Sequence, residues 1–378
     1  MACLSCDLHL FHESREPKSS MTANDGLPTL DNDQPNLSGF LEIRGLSIRP
    51  PVMLAPMAGL THSALRRLVA GFGGTGLMFT EMLSARSLPQ EKADSSPYLL
   101  RSEDEAPLAY QILASTPEET ERGAEIVEAL GADGVDINMG CTAPAIKRRG
   151  AGCALLQDQE RACSLVAAAR SSTALPVTVK IRLLRPVEAQ HQDVGAWLYS
   201  FCSRLQDAGA DMITIHARFV GEPFSRPPKW RLLAGLRGRL SIPYVVNGGI
   251  DSVDQARAAL DQSQADGIMI GRAAPQKPWL LSQIASQLYG LSTNAPEEID
   301  PDLLRRTYLS FADDLTARFP PDRQLGRLKE FTHYFARNYL FGHTLAYGVQ
   351  RARSVEQALE FAREFFSQSG HELCGIKK

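Results

Sequence analysis

Asn138 and Cys141 are the residues whose types and spacing most directly suggest chemistry. They follow a short apolar stretch that begins at Val135 and is typical of a buried strand, and the chain then turns at Gly140. Side chains at such a strand end can face a cleft, where an amide can bind a planar ring through paired donor and acceptor groups. A thiol there can give or take a proton. The alternative is a simple turn that contains a small buried cysteine.

Short apolar runs alternate with helical patterns over residues 50–285, and this rhythm predicts the fold. Eight strands are expected, at residues 52–54, 76–80, 108–113, 134–138, 177–181, 212–215, 244–246 and 267–270. Their number and spacing predict an α/β fold, a (β/α)8 TIM barrel. A doubly wound sheet is the alternative. It usually needs a glycine-rich dinucleotide loop after the first strand, and the segment from Ala55 to Gly59 is not one.

Polar residues stand at or near the ends of these predicted strands. Enzymes with this barrel build their sites at the carboxyl ends of several strands, so we expect these residues to share one face. They are Glu81, Gln111, Asn138, Cys141, Lys180, His216, Asn247 and Arg272. The segments Asn247-Gly248-Gly249 and Gly271-Arg272 follow the last two strands, where many barrels bind a phosphate through backbone N–H groups.

Composition limits the class of protein. The chain has 378 residues, of which 44% are hydrophobic and 22% charged, with a formal net charge of −3. It contains no apolar run long enough for a membrane span and no secretory signal pattern at its start. The seven cysteines are irregularly spaced, which favours a reducing, cytoplasmic location. Cys3 and Cys6 form a lone CxxC without further ligands, so no metal site is predicted.

Three domains are predicted. Residues 1–38 are polar and aperiodic, as in a disordered leader, and Met21 is a plausible alternative start. Residues 39–295 would form the barrel, with a hairpin near residues 41–48 as a lid on its first strand. Residues 296–378 show helical spacing that is broken at Pro320-Pro321, which predicts an all-helical C-terminal domain. Residues 301–378 carry twelve basic and nine acidic residues, a net charge of +3.

The ordered motifs of this chain resemble those of the tRNA-dihydrouridine synthases, over roughly residues 45–345. The matching segments are 54–59, Thr80-Glu81-Met82, Gln111, 136–141, 150–156, 179–182, 215–218, 247–250 and 270–272, followed by Pro278-Trp279. The chain departs from the family pattern at four places. Thr142 stands where the family usually has proline, Pro144-Ala145 lacks a frequent lysine, Gly249 replaces an aspartate, and Cys153 replaces a smaller residue.

The resemblance implies a cytoplasmic, monomeric flavoenzyme that binds FMN and reduces uridine in tRNA with NADPH or NADH as reductant. Hydride would pass from the flavin to C6 of uracil, and Cys141 would donate the proton to C5. The substrate would contact Asn138, Glu81, Arg182 and Arg218. The residues implied to bind the cofactor are Ala55, Pro56, Met57, Gln111, Lys180, His216, Asn247, Gly248, Gly249, Gly271 and Arg272. The helical domain would bind the RNA by shape and through phosphates.

Three alternatives stay open at this point. The chain could be an FMN barrel oxidoreductase that acts on a small molecule, which would have no need of a basic helical appendage. It could be a synthase that acts on ribosomal RNA. It could also be a catalytically silent RNA-binding relative, although Cys141, Lys180 and His216 are all present.

Overall fold

The computed structural model describes residues 39–92, 96–189 and 193–368. The predicted leader, residues 1–38, lies outside the described residues, as does the end of the predicted helical domain after residue 368.

Eight parallel strands close into a barrel, as predicted. The strands of the described chain are β1 (Leu41–Ile43), β2 (Leu46–Ile48), β3 (Val52–Leu54), β4 (Leu77–Phe79), β5 (Leu83–Ser84), β6 (Leu108–Leu113), β7 (Gly134–Met139), β8 (Val177–Leu183), β9 (Met212–Phe219), β10 (Tyr244–Asn247) and β11 (Gly267–Ile270). Each barrel strand pairs with its neighbours in parallel, in the order β3-β4-β6-β7-β8-β9-β10-β11, and β11 pairs back to β3. The two-residue strand β5 extends the edge of β6.

Alternation along the strands divides the barrel into an outer and an inner set of side chains. The outward set, such as Ile137 and Val179, packs on the surrounding helices in the large core cluster. The inward set is apolar at the amino-terminal end, where Met53 and Met212 are fully buried. Towards the carboxyl ends the inward set becomes polar, so the barrel interior places its polar groups together at one end.

The antiparallel hairpin β1–β2 closes the amino-terminal end of the barrel. Its buried residues Leu41, Ile43 and Ile48 belong to the same apolar cluster as the inward-facing Met53 and Met212. The predicted hairpin lid is therefore confirmed. It closes this end of the barrel because its apolar side chains are buried against the inward-facing residues.

Helices surround the strands and continue beyond them. Several begin at side-chain caps; the Asp158 carboxylate, for example, accepts from the Arg161 N–H at 3.1 Å. The helices of the described chain are α1 (Ser63–Phe72), α2 (Pro117–Ala129), α3 (Pro144–Arg148), α4 (Gln159–Ser172), α5 (Pro186–Ala189), α6 (Val194–Asp207), α7 (Val253–Ser263), α8 (Ala273–Gln276), α9 (Leu280–Tyr289), α10 (Pro301–Arg318), α11 (Pro321–Phe335), α12 (Gly342–Arg351) and α13 (Val355–Ser367). A 3-10 helix, Trp230–Leu236, connects β9 and β10.

The last four helices pack around aromatic side chains. Phe331 stacks on Phe311 at 3.7 Å between ring centroids, and Phe335 and Tyr339 are also buried. These aromatic side chains therefore form part of the core of the helical region. These helices also contact α1. Arg67 NH1 on α1 forms an ion pair with Asp314 Oδ1 on α10 at 2.8 Å.

Candidate active site

A cavity of about 370 Å³ lies at the carboxyl ends of the barrel strands. This volume falls in the range of small-molecule and cofactor sites. Fourteen of the sixteen predicted site residues line it: Ala55, Pro56, Met57, Gln111, Asn138, Cys141, Lys180, Arg182, His216, Asn247, Gly248, Gly249, Gly271 and Arg272. Residues from seven barrel strands, or from just past their ends, thus meet in one cavity.

Two predicted substrate residues, Glu81 and Arg218, are not part of the cavity lining. The Glu81 carboxylate accepts a hydrogen bond from the Gly59 N–H, and burial raises its pKa. The Arg218 guanidinium lies behind the glycine loop, where its Nε donates to the Arg226 carbonyl at 2.8 Å. Glu81 is thus turned to backbone, whereas the Arg218 guanidinium lies next to the glycine loop that lines the cavity.

A chain of hydrogen bonds fixes the orientation of two amides in the cavity. Asp136 is fully buried and accepts from Thr178 Oγ1 and from Gln111 Nε2, both at 2.6 Å. Gln111 Oε1 in turn accepts from Asn138 Nδ2 at 2.7 Å. Strand register brings these groups together, since Gln111 is paired with Asp136 across β6 and β7. Burial raises the pKa of Asp136 to about 6, against the lowering effect of the two donors.

Asn138 also holds the loop that carries Cys141. Its Oδ1 accepts from the Cys141 N–H at 2.9 Å and from the Gly140 N–H at 3.1 Å. The Cys141 carbonyl then accepts from the Cys153 N–H at 2.9 Å. Gly152 has φ +60°, and a Cβ at this position would lie 2.7 Å from the Cys141 carbonyl oxygen. The partly exposed thiol of Cys141 is therefore presented from a loop whose backbone is fixed on both sides.

Lys180 places an amine beside these amides. It pairs with Asn138 across β7 and β8, and its Nζ donates to Asn247 Oδ1 at 2.9 Å. Asn247 is oriented in turn, because its Nδ2 donates to the Met269 carbonyl at 2.7 Å. Burial, followed by repulsion from Arg182, lowers the pKa of Lys180 to about 7.

The glycine loop after β10 forms the other end of the cavity. Gly248 has φ +104° and Gly249 has φ +74°, and a Cβ on Gly248 would lie 2.7 Å from the His216 ring. Burial and the nearby cations lower the pKa of His216, so the ring is neutral at pH 7. Among the described residues, His216 Nδ1 and Arg218 NH1 have no hydrogen-bond partner. Glycine backbone that lies beside the unpaired NH1 of Arg218 is suited to bind an anion.

Sequence reasoning missed several residues at the cavity mouth. Phe224 is half exposed, and the Arg272 guanidinium lies 3.8 Å from its ring centroid. Gln276 and Arg337 also line the cavity. Arg337 comes from the C-terminal helices, where no strand-end rule could find it. The basic α3, with Lys147 and Arg148 exposed, follows directly after the Cys141 loop.

Two absences among the described residues bear on the class of site. Within residues 39–92, 96–189 and 193–368, no group of three or more His, Cys, Asp or Glu side chains is arranged to hold a metal ion. Among the helices of this same part of the chain, none combines the length and the apolar character of a membrane span.

Comparison with known proteins identifies the family. The sequence profile of the family described as "Dihydrouridine synthase (Dus)" matches residues 53–308, which is more than half of the chain. The chain belongs to the dihydrouridine synthase family. The match extends from β3 through the whole barrel and into α10, so it contains all sixteen predicted site residues.

Individual members of the dihydrouridine synthase family are similar to this chain over most of their own length. A probable tRNA-dihydrouridine synthase of Rhodobacter capsulatus is 35% identical over 66% of this chain and 75% of that protein. One from Synechocystis is 33% identical over 65% of this chain and 67% of that protein. Among solved structures, morphinone reductase superposes with a TM-score of 0.47 at 14% identity, covering 74% of this chain and 93% of that one.

Proposed function

We propose that this chain is an FMN-dependent oxidoreductase that reduces uridines in tRNA to 5,6-dihydrouridine, with NADPH or NADH as reductant. Membership of the dihydrouridine synthase family supports the reaction class. The observation that carries the proposal is the position of the Cys141 thiol in one cavity with Lys180 and the Gly248-Gly249 anion site. The relatives named as probable tRNA-dihydrouridine synthases support tRNA as the RNA.

The donor set of the cavity fits a flavin mononucleotide, which combines a planar ring with a phosphate. The Gly248-Gly249 backbone, His216 and Arg272 would hold the phosphate, while Gln111 and Lys180 would face the polar edge of the ring. When bound, FMN supplies hydride transfer from the nicotinamide and to the uracil ring. A cation at Lys180 would favour an anionic reduced ring.

Cys141 would hold the proton that the uracil ring takes up at C5. It is a free thiol, partly exposed in the cavity lining, and a positioned acid of this kind lowers the barrier to proton transfer. Asn138 would act mainly by holding this loop, since its amide is already engaged with Gln111, Gly140 and Cys141. Arg182 would lie beside the substrate at the cavity mouth.

The proposed domains divide the work between the barrel and the helices. Residues 39–295 would bind FMN, and residues 296–378 would supply most of the RNA-binding surface, together with the exposed basic helix α3. Deleting the helices would expose apolar surface on the barrel, because His62 of the barrel packs against Phe311 and Phe319 at 5.8 and 5.1 Å between centroids. Point substitutions are therefore better tests of RNA binding than truncation.

The first prediction concerns the cofactor and the reaction together. The purified protein should bind one FMN per chain, and with NADPH it should form dihydrouridine in a tRNA transcript. Arg272→Ala should weaken FMN binding because it removes a cation from the proposed phosphate site. Arg239→Ala is the matched control, since Arg239 stacks on Tyr199 outside the cavity lining. A protein that takes up no FMN, or holds FMN but leaves all tRNA uridines unchanged, would contradict the proposal.

The second prediction concerns the pH dependence of stability in the flavin-free protein. An unfolded lysine titrates near pH 10.4, whereas the pKa of Lys180 in the fold is about 7. Between these values the unfolded chain binds a proton that the folded chain does not, so stability decreases as the pH falls through this window. The slope contributed by Lys180 should be up to about 1.4 kcal/mol per pH unit.

Lys180→Met should remove this slope in denaturant unfolding between pH 7.5 and 9.5, a range that lies inside the window. Lys147→Met, on the exposed α3, is the matched control. If the free energy of unfolding changes with pH equally in wild type and Lys180→Met across this range, Lys180 stays protonated in the fold.

A further inference from the structure

Two large apolar side chains are exposed next to each other after α11. Leu340 is 53% exposed and Phe341 is 56% exposed, although Phe331 and Phe335 of α11 are buried. Single exposed apolar residues are ordinary in soluble proteins, whereas contiguous apolar surface rimmed by polar residues marks contact surfaces. We call this pair the apolar tip.

The apolar tip stands on a firmly held turn. The Gly342 N–H donates to the Tyr339 carbonyl at 3.1 Å, and the Tyr339 ring packs edge-on against Phe365 at 5.2 Å between centroids. Gly342 lies so close to the preceding 3-10 helix, Ala336–Asn338, that an added Cβ would be 1.7 Å from the Ala336 carbonyl oxygen. The exposure of the tip is thus imposed by well-packed backbone on either side of it.

The turn is tied to the mouth of the cavity. Asn338 Nδ2 donates to the Gln276 carbonyl at 2.7 Å, and Gln276 lines the cavity. Arg337, which also lines the cavity, precedes Leu340 by three residues. Successive Cα atoms are 3.8 Å apart, so the Cα atoms of Arg337 and Leu340 are at most about 11 Å apart. The apolar tip therefore stands beside the entrance.

The chain segments on either side of the apolar tip combine cations with aromatic rings. The Arg337 guanidinium lies 5.2 Å from the Tyr334 ring centroid, and that of Arg351 lies 5.2 Å from the ring centroid of Tyr347, which is 61% exposed. Apolar and aromatic surfaces that stack bases, interleaved with cations that bind phosphates, are typical of proteins that bind unpaired nucleotides. A purely apolar protein partner would leave these arginines without a role.

We propose that Leu340 and Phe341 form a wedge that fills the gap left in the RNA stack when the target uridine enters the cavity. The proposal rests on the function proposed above. A base must leave its stack to reach groups inside a barrel, and apolar side chains that insert between bases offset the lost stacking. The wedge stabilises the opened RNA and makes no contact with the reacting uracil.

The test is the double variant Leu340→Ala/Phe341→Ala, measured against two RNAs. With pre-reduced enzyme, the single-turnover rate or the affinity on a folded tRNA transcript should fall by about 10- to 100-fold, the range of one stacked aromatic. On unstructured oligouridylate the effect should be small, because no stack has to be opened. Phe40→Ala is the matched control, since Phe40 is 49% exposed and adjoins the hairpin at the opposite end of the barrel.

A second measurement separates a wedge from a phosphate contact. The dependence of tRNA affinity on salt should be unchanged in the double variant and reduced in Arg337→Ala, because only the arginine neutralises a phosphate. Equal losses on both RNAs, no loss on either, or a change from dimer to monomer in sedimentation would overturn the wedge. A wild-type protein that neither binds nor modifies tRNA would refute the proposed function itself, and the wedge with it.

Discussion

Cys141→Ala should slow the reduction of uridine by about 10²- to 10⁴-fold, the usual contribution of a positioned general acid. The side chain lies in the cavity lining, and its loop is held by Asn138 on one side and by Cys153 on the other. Alanine preserves these backbone contacts and removes only the thiol. FMN content and the oxidation of NADPH by an artificial acceptor should therefore remain normal, because neither needs that proton.

The control for Cys141 is Cys163→Ala. Cys163 is also a free, partly buried cysteine, but it lies on α4 outside the cavity lining. Single-turnover formation of dihydrouridine with pre-reduced enzyme separates this step from cofactor reduction. A Cys141→Ala enzyme that works at the wild-type rate would establish that the cysteine only packs its turn.

Gly248→Ala should weaken FMN binding by about 10²-fold or more. A Cβ on Gly248 would meet the His216 ring at 2.7 Å and Arg218 NH1 at 3.2 Å, on backbone with φ +104°. Left-handed backbone and overpacking each cost roughly 1–3 kcal/mol in an L-residue, and each 1.4 kcal/mol is tenfold in affinity. The loop would have to move away from the groups that face the proposed phosphate.

The control for Gly248 is Gly221→Ala, which separates backbone strain from loss of space. Gly221 has φ +73°, yet no atom lies within 4 Å of a Cβ built there. This variant should lose some stability and keep its FMN affinity, measured by fluorescence titration. Equal FMN affinity in Gly248→Ala and wild type would show that the glycine loop does not bind the cofactor.

Local pattern was enough to predict the strands and most of the cavity lining. The apolar runs at Leu108–Leu113 and Gly267–Ile270 have the predicted bounds, because a buried strand between turns is defined by its own residues. The strand-end rule found Gln111, Lys180 and His216, since the carboxyl ends of parallel strands meet at one face. The strand β5 and the helix α12 were not predicted.

Hydrogen bonds and contacts between residues far apart in the sequence could not be predicted. Asp136 was no candidate, although it orients Gln111 and, through it, Asn138. That chain of contacts depends on the register between β6 and β7, which no single strand encodes. The resemblance implies that Glu81 contacts the substrate, but its carboxylate turns to the Gly59 N–H. Arg337 lies far along the chain and reaches the cavity only through helix packing.

The hairpin β1–β2 has a consequence for the order of events in a catalytic cycle. Because its side chains fill the amino-terminal end of the barrel together with Met53 and Met212, reactants come to the cavity from the carboxyl-terminal side. A nicotinamide and a uridine that exchange a hydride through one bound cofactor would then enter the cavity through the same opening. The two reactants would therefore bind in turn, and the oxidised nicotinamide would dissociate before the RNA binds. This order of binding gives ping-pong kinetics.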